Sequence, residues 1–166
     1  MKAKTLPPAT PHAKRDALLR EAVHDSYKSR RKPLSPRVCP GCKAVFQDGH
    51  WQWGAAPASA RKLTCPACQR IHDDFPAGYV TLKGEFLSTR RDEVLHLVHN
   101  HEAREKGEHP LQRIMKIADT EEGILITTTD IHLARGIGDA LHHAYHGKLD
   151  YHYNPEQTLL RVQWER

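Results

Sequence analysis

Four cysteines carry the clearest chemistry in this chain. They are its only thiols among 166 residues, and they come as two pairs, Cys39-Pro40-Gly41-Cys42 and Cys65-Pro66-Ala67-Cys68, with twenty-two residues between them. A Cys-x-x-Cys turn lets two thiolates reach one ion, and two such turns complete the tetrahedron that zinc prefers. Cys39, Cys42, Cys65 and Cys68 therefore read as the ligands of a single Zn2+ in a zinc ribbon. Iron is the rival for the same four sulfurs. A thioredoxin-like redox pair needs only one such turn, and a disulfide framework belongs to secreted chains. Four sulfur ligands fill the coordination sphere and leave no position for water or substrate, which points to a structural ion. The His-x-Glu element that a zinc deaminase places with its cysteines is missing beside them. The chain is expected to be no enzyme and to take no small-molecule substrate.

Charge is unevenly placed around these knuckles. Residues 1–38 hold ten Lys and Arg against three Asp and Glu, a net +7, whereas residues 39–166 hold fifteen against seventeen, a net −2. A basic arm on a near-neutral body suits a polyanion, because its cations release counterions from a phosphate backbone without disturbing a core. A solvated, solubilising leader would have the same composition. Residues 1–20 are broken by Pro7, Pro8 and Pro11 and lack the apolar stretch of a signal peptide. No apolar run approaches membrane-spanning length. A cytoplasmic protein with no membrane partner is expected.

The organisation reads as three parts: a basic arm over residues 1–38, a zinc ribbon over 39–76 and an α/β sandwich over 77–166. Residues 12–25 have the spacing of a short amphipathic helix that needs a surface to dock on. Lys28, Arg30, Arg31 and Lys32 make a basic strap that continues through Arg37 into the first knuckle. Between the knuckles the Asp48-Gly49 step marks a hairpin. It carries Trp51 and Trp53, which lie two apart and share one face of a strand. That face either stacks on bases, with Arg61 and Lys62 supplying phosphate contacts, or packs over a metal site that has little other apolar cover.

After the second knuckle the pattern is that of a globular domain. Residues 79–87 read as one strand kinked at Gly84. Ser88 or Thr89 then opens a helix with Val94, Leu95, Leu97 and Val98 on its inner stripe, ending at Gly107 and Pro110. Residues 111–118 and 124–128 form a hairpin, Thr129 or Asp130 caps a second helix with Leu133, Ala134, Ile137 and Leu141 inward, and residues 149–153 and 159–164 make a last hairpin. The order β-α-β-β-α-β-β gives an α+β chain whose second part fits a ferredoxin-like sandwich with one added strand.

Two features of this part invite a functional reading. Thr128, Thr129 and Arg135 surround the amino terminus of the second helix, where amides, hydroxyls and a guanidinium could receive a phosphate. Ordinary capping accounts for the same residues. Gly136 and Gly138 inside the helix cost about 1 kcal/mol each relative to alanine, so an element or ligand should come close there. Of the thirteen histidines, His96, His99 and His101 lie on the first helix and His142, His143 and His146 near the end of the second. Their offsets form no metalloenzyme signature, and they read as exposed polar side chains.

The knuckles Cys39/Cys42 and Cys65/Cys68, the stretch Ile126-Thr127-Thr128-Thr129-Asp130-Ile131-His132-Leu133-Ala134-Arg135 and the following Ala144-Tyr145-x-Gly147-x-Leu149 resemble the amino-terminal half of the ribosomal large-subunit export adaptor (NMD-three) family. A small bacterial family of that type is similar over most of the chain from Tyr27. The resemblance implies binding to the large ribosomal subunit through ribosomal RNA, with a ribosomal protein as a further contact and zinc as structural cofactor. The adaptors carry additional cysteine pairs, a barrel-like domain and transport signals that have no counterpart here, so nuclear export is not implied.

The expected function is thus a non-enzymatic, ribosome-associated RNA-binding protein. Its expected contacts are Lys28, Arg30, Arg31, Lys32, Arg37, Trp51, Trp53, Arg61, Lys62, Thr128, Thr129 and Arg135. The alternative is a regulatory protein-interaction module in which zinc staples the fold or senses oxidation.

Overall fold

From Arg37 to Lys62 the chain is rich in turn formers and poor in apolar residues, and it builds only short strands. The computed structural model describes Tyr27, Pro33, Leu34 and residues 36–166. The helix expected over residues 12–25 and the basic residues Lys28, Arg30, Arg31 and Lys32 lie outside the described residues. Strands β1 (Arg37–Val38), β2 (Val45–Gln47), β3 (His50–Gln52) and β4 (Arg61–Lys62) form a small sheet of order β3-β2-β1-β4. The β2–β3 hairpin turns at Asp48 (φ 54°) and Gly49 (φ 86°). Two successive positive φ angles match the right-handed twist of the flanking strands, which is why Asp-Gly stands there. Helix α1 (Pro66–Asp73) follows, with Pro66 at its first position and Cys65 as its cap. Because β1 belongs to this sheet, Arg37 and Val38 join the small lobe and not the arm.

The large lobe is a two-layer α+β arrangement. It comprises β5 (Gly78–Lys83), α2 (Glu85–Glu108), β6 (Ile114–Thr120), β7 (Gly123–Thr128), α3 (Ile131–Tyr145), β8 (Lys148–Asn154) and β9 (Leu159–Glu165). Alternate positions on the central strands are fully covered: Val80 and Leu82 on β5, Ile124 and Ile126 on β7, and Leu160, Val162 and Trp164 on β9. Period-two burial of this kind turns one sheet face towards the helices, which return Val94 and Val98 from α2 and Leu133, Ile137 and Leu141 from α3. Each fully buried aliphatic side chain contributes about 1.5–3 kcal/mol. Trp164 closes one end of this core, its Nε1 donating to the His146 carbonyl at 2.7 Å.

Element order follows the sequence reading, with two differences in detail. Residues 85–87 were expected to prolong the first strand, yet α2 begins at Glu85. Gly84 sits at φ 102°, and a Cβ there would lie 2.2 Å from the Arg166 carbonyl oxygen. Only glycine fits this turn, and it reverses the chain from strand to helix. The Ser88/Thr89 region instead marks a kink, with Arg90 at φ −127°, ψ 28° inside α2. The sheet order is β6-β7-β5-β9-β8, and β9 runs parallel to β5. A ferredoxin-like sheet with a strand added at its edge would place β8 against β5; here β9 is inserted between them.

The helix glycines are explained by close approach. A Cβ on Gly138 would meet Val162 and Leu149 of the sheet, and one on Gly136 would fall 2.4 Å from His101 Nε2 of α2. His101 is thus wedged at the α2–α3 crossing, where Arg104 donates to its Nδ1 at 3.1 Å. Burial lowers its pKa, with Arg104 adding to the shift against Glu105 and Asp139. A histidine whose folded pKa is depressed contributes stability above its unfolded value near 6.5, and that stability is lost as pH falls.

Gly136→Ala should destabilise the chain by about 1–3 kcal/mol in denaturant unfolding through overpacking. Adding His101→Ala should recover part of the loss, and His101→Gln should flatten the decline in stability as pH falls through and below about 6.5.

Candidate metal centre

The two knuckles are presented by different local devices. At the first, Cys39 leaves β1 and the chain reverses at once, with the Cys39 N–H donating to the Ala44 carbonyl at 2.8 Å and the Lys43 N–H to the Cys39 carbonyl at 2.9 Å. Lys43 takes φ 68° to close this turn. At the second, Cys65 caps α1, its sulfur accepting the Cys68 N–H at 3.4 Å. The Cys65 N–H in turn reaches Cys39 Sγ at 3.4 Å. Backbone donors therefore aim at the sulfurs from both turns, as they would at thiolates.

All four sulfurs converge. Their Sγ atoms lie within 4.8 Å of one another, and Cys42 and Cys65 are 3.7 Å apart. A tetrahedral ion with metal–sulfur bonds of about 2.3 Å requires edges of about 3.8 Å, so the set fits an ion such as zinc. Among the described residues no other group of histidines, cysteines and carboxylates converges in this way. Gly41 lies close by, and a Cβ there would press on Cys68 Sγ at 3.3 Å.

Charge is balanced from the other lobe. Arg113, between α2 and β6, is only 8 % exposed and points its guanidinium into the cysteine cluster, with Nη1 3.3 Å from Cys68 Sγ and Nη2 3.6 Å from Cys65 Sγ. Its Nε donates to the Pro110 carbonyl at 2.7 Å. Burial alone would lower the Arg113 pKa, but the thiolates of Cys68 and Cys42 outweigh it and the guanidinium is held above its usual range. Four thiolates around one divalent ion would carry a net charge of −2, which Arg113 would reduce to −1.

The sulfurs are electrostatically unequal. Burial pushes the Cys39 thiol up, yet N–H groups of Cys65, Cys42 and Gly41 prevail and bring it down to about 6. Burial pushes Cys65 up, reinforced by the charges of Cys42 and Cys68. Burial also raises Cys68, against the pull of Arg113. A divalent ion relieves the mutual repulsion that makes the second and third deprotonations costly.

The residues expected at a phosphate site near α3 do other work. Thr128 and Thr129 are buried. The Thr128 hydroxyl donates to the Asp130 carbonyl at 2.8 Å, and that of Thr129 to the Leu111 carbonyl at 2.6 Å. Thr129 Oγ1 also accepts the Arg113 N–H at 2.9 Å. The Thr129 hydroxyl is thus engaged by the 111–113 loop and that of Thr128 by the start of α3. Asp130 is the cap, accepting from the His132 and Leu133 N–H groups at 2.8 and 3.3 Å. Arg135, with 17 % of its side chain exposed, lies beside Asp139, 3.4 Å away, and so faces away from the helix terminus.

On the small lobe the two tryptophans part company. Trp51 packs against the cysteines, its ring edge-to-face with Phe46 at 5.6 Å. Trp53 lies beyond β3, is 39 % exposed and donates its Nε1 to the Lys106 carbonyl in the last turn of α2 at 2.6 Å. Arg37 and Arg61 are register partners on β1 and β4, and Arg61 and Lys62 are exposed. Tyr27 is held on α1, its hydroxyl donating to Asp73 at 2.9 Å while its ring covers the Arg70 guanidinium at 4.4 Å. No helix among the described residues is long and apolar enough to cross a membrane.

Arg113 was not among the expected site residues. In the sequence it is only an arginine within the strand expected over residues 111–118, and nothing local tells that its partners lie 45 and 48 residues upstream. No family model, curated protein or solved structure matches this chain.

Arg113→Met should lower the stability of the metal-loaded protein by about 1.5–3 kcal/mol in denaturant unfolding, the range for hydrogen bonds to charged groups. It should also weaken metal retention roughly 10–100-fold in chelator competition, as loss of an outer-shell partner does. Cys65→Ser should remove stoichiometric metal altogether, checked by elemental analysis.

Proposed function

We propose that the chain is a non-catalytic RNA-binding protein whose four cysteines hold one structural zinc ion in a ribbon, and that its partner is the ribosome. The observation that carries this reading is the gathering of Arg37, Arg61 and Lys62 on the β1–β4 edge, next in sequence to the basic strap. The +7 of residues 1–38 against the −2 of the remainder supports the same partner. The resemblance to the large-subunit export adaptors narrows it to ribosomal RNA, with a ribosomal protein as a further contact and the cytoplasm as the site of action. Four thiolates closing the ion's coordination sphere support a structural rather than a hydrolytic metal.

A second reading, a protein-binding module stapled or redox-gated by zinc, draws on Ile71 and Phe75, which lie exposed at the end of α1. Nuclease treatment before affinity capture separates the two, because an RNA-dependent set of partners collapses and a protein-dependent one persists.

Sedimentation of the full chain through sucrose gradients should place it with ribosomal particles at low salt and release it at high salt; absence from those fractions at low salt sinks the ribosome reading. Arg61→Ala combined with Lys62→Ala should weaken RNA binding across sequences and reduce the slope of log affinity against log salt by about 0.7 for each phosphate that is no longer neutralised.

A further inference from the structure

Alternation along the five-stranded sheet buries one of its faces under α2 and α3 and turns the other outward. Register fixes what stands side by side on the outward face. Tyr79 of the central strand β5 pairs with Thr127 of β7 on one side and with Arg161 of β9 on the other. Thr127 pairs in turn with Lys116 of β6, and Arg161 with His152 of β8. One row across all five strands therefore reads Lys116, Thr127, Tyr79, Arg161, His152. The next row brings Thr81, Leu125 and Gln163 beside it. Lys116, Arg161, His152 and Gln163 are exposed, and Tyr79 is half-buried.

Charge on this face is unevenly compensated. At its far end Lys83 pairs with Glu122, and Lys148 with Asp150 at 3.2 Å. The Tyr79 row contains no carboxylate, and neither Lys116 nor Arg161 makes an ion pair among the described residues. The Arg161 guanidinium lies over the Tyr79 ring, 5.0 Å from its centroid. That contact holds the cation in place at the middle of the sheet without neutralising it.

These features select an occupant. Two uncompensated cations call for an anion. A tyrosine layered with a guanidinium offers the flat surface on which unstacked bases lie, and the hydroxyls of Thr81 and Thr127 and the amide of Gln163 stand next to it in register. Leu125 is the one large aliphatic side chain in the two rows, too little for the apolar centre of a protein interface. Width separates single strand from duplex. Five strands about 4.8 Å apart spread over about 19 Å, whereas a major groove about 12 Å wide admits a helix or a two-stranded ribbon, and that of duplex RNA is narrower still. Bases can meet so broad a surface only when they are unpaired.

We propose that this face of the large lobe binds single-stranded RNA, with a base stacked on the Tyr79–Arg161 pair and the charges of Lys116 and Arg161 serving the adjoining phosphates. The proposal rests on the RNA-binding reading above and adds to it the class of RNA and a base-contacting surface on the other lobe from Arg37, Arg61 and Lys62.

The test titrates the full, zinc-loaded chain with a short oligouridylate and with an RNA duplex of equal length at several salt concentrations. The single strand should bind several-fold more tightly. Arg161→Glu, at an exposed position, should lower single-strand affinity roughly tenfold or more, and Tyr79→Ala roughly tenfold, the range for removal of a base stack, while Tyr79→Phe retains it. Lys116→Ala should reduce the slope of log affinity against log salt by about 0.7. Thermal unfolding checks that each variant folds, and Arg161→Glu decides the matter where Tyr79→Ala perturbs the core. A 4-thiouridine strand should crosslink to the peptide that holds Tyr79. If Arg161→Glu binds RNA as the parent does while Arg61→Ala with Lys62→Ala loses binding, the sheet face is overturned and the RNA-binding reading stands. Absence of any salt-dependent RNA binding overturns both. If the chain binds an oligoglutamate peptide, and Arg161→Glu abolishes that binding but spares the oligouridylate, the face belongs to an acidic protein partner and the proposal fails.

Discussion

Burying negative sulfur in a lobe with almost no core of its own is the constraint from which much of this structure follows. The small lobe has strands of two or three residues, and its fully covered apolar residues are Cys39, Ala44, Val45, Cys65 and Ala67, all small or medium-sized. A module of that size has little apolar area on which to fold alone, and an ion held by the four cysteines would staple it. The staple concentrates charge where water is scarce. Arg113 answers this by delivering a guanidinium from the large lobe, so the site's electrostatics join two parts of the chain that have separate cores.

That interaction explains features of the large lobe that otherwise look incidental. To hold Arg113 in place the 111–113 loop must be rigid, and Thr129 makes it so by accepting the Arg113 N–H and donating to the Leu111 carbonyl. The Ile114 N–H that follows is taken by the Glu102 carboxylate of α2 at 2.7 Å. The Thr129 N–H closes the other side on the Arg113 carbonyl at 2.9 Å. Thr129, at the strand-to-helix junction, thus serves the cysteine cluster at one remove.

What could be read from the sequence was what local chemistry determines. Paired cysteines at fixed spacing, the Asp48-Gly49 turn, the Asp130 cap and the two helix glycines each constrain their own neighbourhood, and the structure uses each of them. Hidden were the features decided by distant partners. Gly84 looked like a kink in a strand because the carbonyl of Arg166 that crowds it arrives from the far end of the chain. The insertion of β9 beside β5 depends on which edge of a hairpin packs inward, and alternation of side chains is the same for either. Arg113 was silent because a buried arginine and a surface arginine differ only in what folds over them. Trp53 was silent in the same way, since the helix carbonyl its indole N–H reaches lies 53 residues away.

A groove of about 520 Å³ between the two lobes sits where these constraints meet, and its shape depends on the metal centre for a geometric reason. Phe46, Trp51 and Leu63 belong to the small lobe, whereas Leu111 and Gln112 belong to the segment that positions Arg113. Arg113 and the Trp53–Lys106 hydrogen bond both cross between those walls. Removing the ion would leave four thiols that share protons, weaken the pull on Arg113 and free the small lobe to shift against the large one. The groove would then change width while the core of the large lobe, closed by Trp164 at the other end, stays intact.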